Sequence, residues 1–147
     1  MKKALFIIVL IGFYMCKIQK KMTNEFLTFK GGEKYVFVTP EGYISEKRYE
    51  SENKYAQDYL FSDSSLFYIT TFSNTNNYEE IRRQDSYADR FSAFHSGDTI
   101  TLNGVDKQGL YWKDRLIKNG VTIGYSKVSS KNKDDFDKAI FSIRKND

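Results

Sequence analysis

His95 is the only histidine in the 147-residue chain, and in Phe94-His95-Ser96-Gly97-Asp98 it has hydroxyls and a carboxylate close by. Histidine, serine and aspartate are the parts of an acyl-transfer triad, in which the imidazole takes the hydroxyl proton and the carboxylate orients the ring. One reading is therefore an exported hydrolase using His95 with Asp98 or Ser96. No Gly-x-Ser-x-Gly elbow presents a nucleophile in the chain, so a surface-loop histidine accounts for the same residues without chemistry. We expect no catalytic residue.

Other chemistry-bearing types are sparse. With one histidine, and with Cys16 the single cysteine, zinc would need carboxylates for its remaining ligands, and no zinc spacing or EF-hand loop occurs. The expectation is no metal and no cofactor. The pairs Glu79/Glu80 and Asp134/Asp135 read as helix-start charges, because adjacent residues on a helix point apart. Asp63 and Asp106 sit in turn-forming stretches, where aspartate bonds local backbone. Tyr111-Trp112-Lys113 and Tyr125 are the more promising group. Aromatics on an exposed strand face anchor partners, which makes Tyr111, Trp112 and Tyr125 a candidate interaction surface. Strand alternation buries one of Tyr111 and Trp112 in any case, so core packing competes with that reading.

Cys16 follows an apolar run over residues 4–15 that is itself preceded by Lys2 and Lys3. A bilayer span needs about 20 apolar residues, so a run of this length suits the h-region of a secretion signal. No small-x-small pair marks a cleavage site, but the position of Cys16 resembles the acylated cysteine of bacterial lipoproteins. It departs from that pattern in having Met15, rather than a small residue, just before the cysteine. An uncleaved signal anchor is the alternative. The expected organisation is a signal over 1–15, a tether over 16–24 and one domain over 25–147. The expected address is the bacterial cell envelope, as a periplasmic or outer-membrane-associated lipoprotein held to the membrane through an N-terminal lipid.

Loss of Lys2 and Lys3 would reduce the 23 basic residues to 21, against 19 acidic ones. A balance that even leaves no electrostatic footprint for nucleic acid. The chain is rich in aromatics, with twelve Phe and eleven Tyr, and holds one proline, a composition that builds a core rather than a disordered segment.

Strands dominate the pattern that must position these residues. Phe26 and Phe29, then Tyr35, Phe37 and Val38, flank Gly31-Gly32 as a hairpin, and Pro40 and Gly42 turn the chain after the second segment. Residues 45–57 read as a loop or an irregular edge strand. Residues 59–61 and 66–72 form a second hairpin, the latter a central strand covered on both faces. A short helix is expected over 78–84. Residues 99–102 form a strand closed by Asn103-Gly104, and 110–117 pairs with 121–128 through Asn119-Gly120. Ser129-Ser130 caps a last helix whose Phe136, Ala139, Ile140 and Ile143 share one face that packs on the sheet.

The order predicts an α+β single domain, an antiparallel sheet flanked by helices. Residues 35–43, Tyr-Val-Phe-Val-Thr-Pro-Glu-Gly-Tyr, together with Leu102-Asn103-Gly104 and residues 136–143, Phe-Asp-Lys-Ala-Ile-Phe-Ser-Ile, resemble the PsbP-like α/β/α sandwich over roughly 34–144. Tyr111-Trp112-Lys113 and Ile123-Gly124-Tyr125 also resemble segments of small lipoproteins of low-GC bacteria. The resemblance implies an accessory or binding protein, some bacterial versions being lipoproteins or immunity proteins against secreted toxins. It names no catalytic residue. The functional expectation is a non-catalytic lipoprotein that binds another protein, a toxin or an envelope component.

Overall fold

Aromatic and β-branched side chains concentrate in short runs bounded by turn residues, and those runs become strands. The computed structural model describes residues 23–27, 32–51, 54–71, 77, 99–117 and 120–146. Nine strands and one helix lie among them: β1 (Thr23–Leu27), β2 (Lys34–Val38), β3 (Tyr43–Ser51), β4 (Lys54–Phe61), β5 (Leu66–Thr70), β6 (Ile100–Val105), β7 (Tyr111–Ile117), β8 (Val121–Val128), α1 (Lys133–Phe141) and β9 (Arg144–Asn146). The fold is a sheet-rich α+β one. A six-stranded antiparallel sheet runs β3-β4-β5-β8-β7-β6, and a small sheet runs β1-β2-β9.

β5 and β8 are central and buried on both faces. Phe67, Ile69, Val121, Ile123, Tyr125 and Val128 enter the main core, while Tyr68, Thr70, Thr122 and Gly124 alternate onto the second face. The main core is closed by α1 through Phe136, Ala139 and Ile140, and by the small sheet through Phe26, Tyr35 and Phe37. Phe37 meets Tyr59 and Phe67 at ring-centroid distances of 6.3 and 6.1 Å, and Phe61 meets Phe136 at 4.9 Å. Each such pair adds about 0.5–1.5 kcal/mol beyond burial of its area.

Four boundaries differ from the sequence expectation. Residues 45–57, expected as a loop or an irregular edge strand, hold most of β3, an edge strand with a shift in register between Tyr43 and Ser45, and the start of β4, which begins at Lys54 rather than at residue 59. The side chains of β3 are charged and exposed because it is the edge of the sheet. Asn103-Gly104 lies within β6 rather than closing it, and the turn falls at residues 106–109. There Asp106 Oδ1 accepts the N–H groups of Gln108 and Leu110 at 2.8 and 2.9 Å, and Gly109 takes φ +80°. Helix α1 starts after Asn132, not after Ser129-Ser130, and its cap uses the Asn132 backbone carbonyl, which accepts from Asp135 and Phe136. Finally, the last residues form β9, which pairs with β2.

β1 begins at Thr23, inside the stretch assigned to the tether. The expected helix over 78–84 and the segment ending at Cys16 lie outside the described residues. Among the described residues, no helix is long and apolar enough to cross a membrane.

Candidate functional site

Tyr111, Trp112 and Tyr125 do not share one exposed surface. Trp112 is 2% exposed on the second face, Tyr125 is fully buried in the main core, and Tyr111 is half-buried against that core. Alternation separates the two neighbours on β7. A bulge on β8 sets Lys113 opposite Tyr125 and Tyr111 opposite Val128, with Lys127 at φ +57° absorbing the extra residue. His95, Ser96, Asp98 and Cys16 lie outside the described residues.

Instead, two polar clusters occupy opposite faces of β7 and β8. On the second face, Asp114, at the middle of β7, is wholly buried. Its Oδ1 accepts hydrogen bonds from the Tyr68 hydroxyl and, at 2.7 Å, from Asn77 Nδ2. Asn77 Nδ2 also lies 2.9 Å from the carbonyl of Tyr125 and 2.8 Å from the Tyr68 oxygen. A buried carboxylate costs several kcal/mol unless such donors surround it. Gly124 makes the arrangement possible. A Cβ there would meet Asp114 Oδ1, the Lys113 carbonyl and Tyr68 Cζ, all at 2.7 Å. On this same face Trp112 Nε1 and Thr122 Oγ1 are buried without a hydrogen-bond partner.

On the helix side, Asp137 of α1 receives Lys113 Nζ at 2.5 Å, Lys133 Nζ at 2.6 Å and the Tyr125 hydroxyl at 2.9 Å. Burial alone would raise the pKa of Asp137, but the bonds from Lys113, Lys133 and Tyr125 outweigh it and hold the carboxyl below its ordinary value. Tyr125 is pushed up, first by burial and then by its bond to Asp137. The bond to Asp137 likewise raises Lys133. Beyond this cluster, Arg115 stacks over the ring of Phe141 at 5.1 Å, and Lys113 Nζ lies 5.6 Å from the same ring.

Among the described residues, a groove of about 460 Å³ lies between the end of β2 and α1, lined by Phe61, Phe136 and Ala139 and by Glu41, Asp135 and Lys138. Asp135 and Lys138 pair there at 3.1 Å, both well exposed. Among the described residues no group of three or more His, Cys, Asp or Glu side chains comes close enough to hold a metal ion.

Sequence reasoning overlooked Asp114, Tyr68, Asn77, Asp137 and Arg115. The alternation on β7 places Asp114 on the same buried face as Trp112, a local signal for a buried carboxylate. Its partners are 46 and 37 residues away, beyond the reach of any periodicity. Comparison with protein-family models, with curated proteins and with solved structures returns no match.

Proposed function

We propose that the chain is an exported, membrane-tethered lipoprotein of the bacterial envelope whose domain binds another protein without catalysing a reaction. The observation that carries the reading is the apolar run over 4–15 set between Lys2-Lys3 and Cys16. The inner clusters agree with it, since Asp114 and Asp137 are engaged by fixed donors of the chain itself and serve packing. In a specialised form, the partner is a toxin delivered by a neighbouring cell and the chain is its immunity protein.

We also propose that the fold is a PsbP-like sandwich. Its support is the large antiparallel sheet with an N-terminal hairpin, the Pro40-Glu41-Gly42 turn after β2, and a closing helix against β8 and β2.

Formaldehyde cross-linking of the full chain in its own cells tests the binding reading: recovery of one protein in near-stoichiometric amount is expected, and a uniform background would sink it. His95→Ala should complement a deletion strain fully. Loss of complementation by a folded, exported His95→Ala protein would favour the hydrolase.

A further inference from the structure

Among the described residues, no element covers the helix-side face of β6. Thr101, Asn103 and Val105 point there and are exposed, because α1 covers β8 and the small sheet but stops short of this edge. Phe141, at the end of α1, is 56% exposed rather than tucked into the core. Its ring carries the Arg115 guanidinium at 5.1 Å. Thr101 of β6 lies directly opposite Arg115, so ring and guanidinium form a corner at the start of the open strand, and Val105, opposite Tyr111, lies about 13 Å further along it.

The charges of this corner are unequal. Asp137 is shared by Lys113 and Lys133, and Lys133 also lies 5.7 Å from the Tyr111 ring. The nearest further carboxylate on the helix is Asp135, about 9 Å along the axis from Phe141 and paired with Lys138. Among the described residues Arg115 has no carboxylate partner, and its guanidinium lies over the Phe141 ring. The contact with the ring leaves the guanidinium N–H fork without a carboxylate among the described residues, and that fork matches a carboxylate in a two-point contact.

We propose that this corner and the open face of β6 leading from it, Arg115, Phe141, Asn103 and Val105, are the surface that takes the protein partner. It would hold an extended segment presenting an aspartate or glutamate to Arg115, with one apolar side chain on Phe141 and a second, about 13 Å along the strand, on Val105. The proposal rests on the protein-binding reading and adds where the partner sits and what chemistry it offers. An anionic lipid surface fits less well, because lipid-binding patches gather about four to eight cations, more than the three here.

The test uses the full chain in its own cells, with photoreactive benzoylphenylalanine in place of Phe141, of Val105 or, on the opposite edge of the large sheet, of Ile44. Cross-links from 141 and 105 should reach one protein, within a segment containing Asp or Glu, and those from 44 should not. Introducing Arg115→Glu beside the probe at 141 should lower the yield about tenfold, as expected for loss of a central anchor. Arg115→Lys should lower it less, and both proteins should keep the parental melting temperature. Should Arg115→Glu fail to fold, Arg115→Lys and Asn103→Arg carry the comparison. Cross-links from 141 to lipid, to a second copy of this chain or to a segment lacking carboxylates would overturn the surface, as would an unchanged yield in folded Arg115→Glu. Protein cross-links from 44 but none from 141 or 105 would remove this surface and leave the binding reading standing. No protein cross-link from any of the three positions would remove both.

Discussion

At the centre of the six-stranded sheet, over β5 and β8, both faces are buried, but by different means. The helix side is filled with rings and branched aliphatics from β4, β5, β8 and α1, supplemented by the small sheet. The second face carries Tyr68, Thr70, Trp112, Asp114 and Thr122, with Asn77 brought onto it. An apolar core tolerates exchange of one hydrophobe for another at modest cost, since dispersion and area burial have little direction. A polar face has no such freedom, because each donor has one geometry and an orphaned one costs about 1–3 kcal/mol. Uniqueness should therefore reside on the second face and bulk stability on the helix side.

Mutations can break that contrast. The largest effect is expected for Phe67→Ala, about 3–5 kcal/mol of destabilisation in urea unfolding, from lost transfer energy and the cavity left behind. Phe67→Leu should recover much of it, and failure of Leu to do so would contradict a tolerant core.

On the other face, Gly124→Ala adds one methyl group where three heavy atoms stand at 2.7 Å. A loss of about 1–3 kcal/mol follows from overpacking, with no rescue by larger side chains. A neutral Gly124→Ala would show that Tyr68 and Asp114 do not meet over this glycine.

Tyr68→Phe and Asp114→Asn should each destabilise by about 1–3 kcal/mol and be far from additive, since each removes the other's partner. A double-mutant cycle with a coupling near zero would dissolve the cluster.

A smaller effect is the pH dependence set by Asp137. Its folded pKa lies below the ordinary 3.8, so the stability it contributes is present above that value and is lost as pH falls through the lower folded value. Asp137→Asn should flatten the fall in melting temperature below about pH 4. An unchanged profile would mean that Lys113 and Lys133 do not stabilise this carboxylate.

The smallest is at the β6–β7 turn. Asp106→Ala should cost about 0.5–1.5 kcal/mol for its two backbone bonds and Asn103→Ala close to nothing, with the reverse order returning the turn to Asn103-Gly104.

What was legible follows from the same physics. β5 reads as a central strand from the near-continuous run after Leu66, and α1 from the spacing of Phe136, Ala139, Ile140 and Ile143. Each pattern records burial along one element. Edge strand β3 reads no further than a loop or an irregular edge strand because its side chains answer to water, and β9 escaped because its three residues are all exposed and owe their order to β2. Asn103-Gly104 carries a strong turn signal that lost to the bonds available at Asp106 and Gly109. Of the site, Trp112 and Tyr125 were singled out as aromatics, but their burial depended on register and a bulge. Arg115 on Phe141 joins a strand to the end of a helix, a meeting no local spacing announces.

The proposed lipoprotein function rests first on the anchor, which is therefore the most direct point of attack. Cells producing the full chain should incorporate radiolabelled fatty acid into it, and Cys16→Ser should abolish the label while leaving the domain folded. Label that persists in Cys16→Ser, or its absence from the parent chain, would contradict the lipoprotein account.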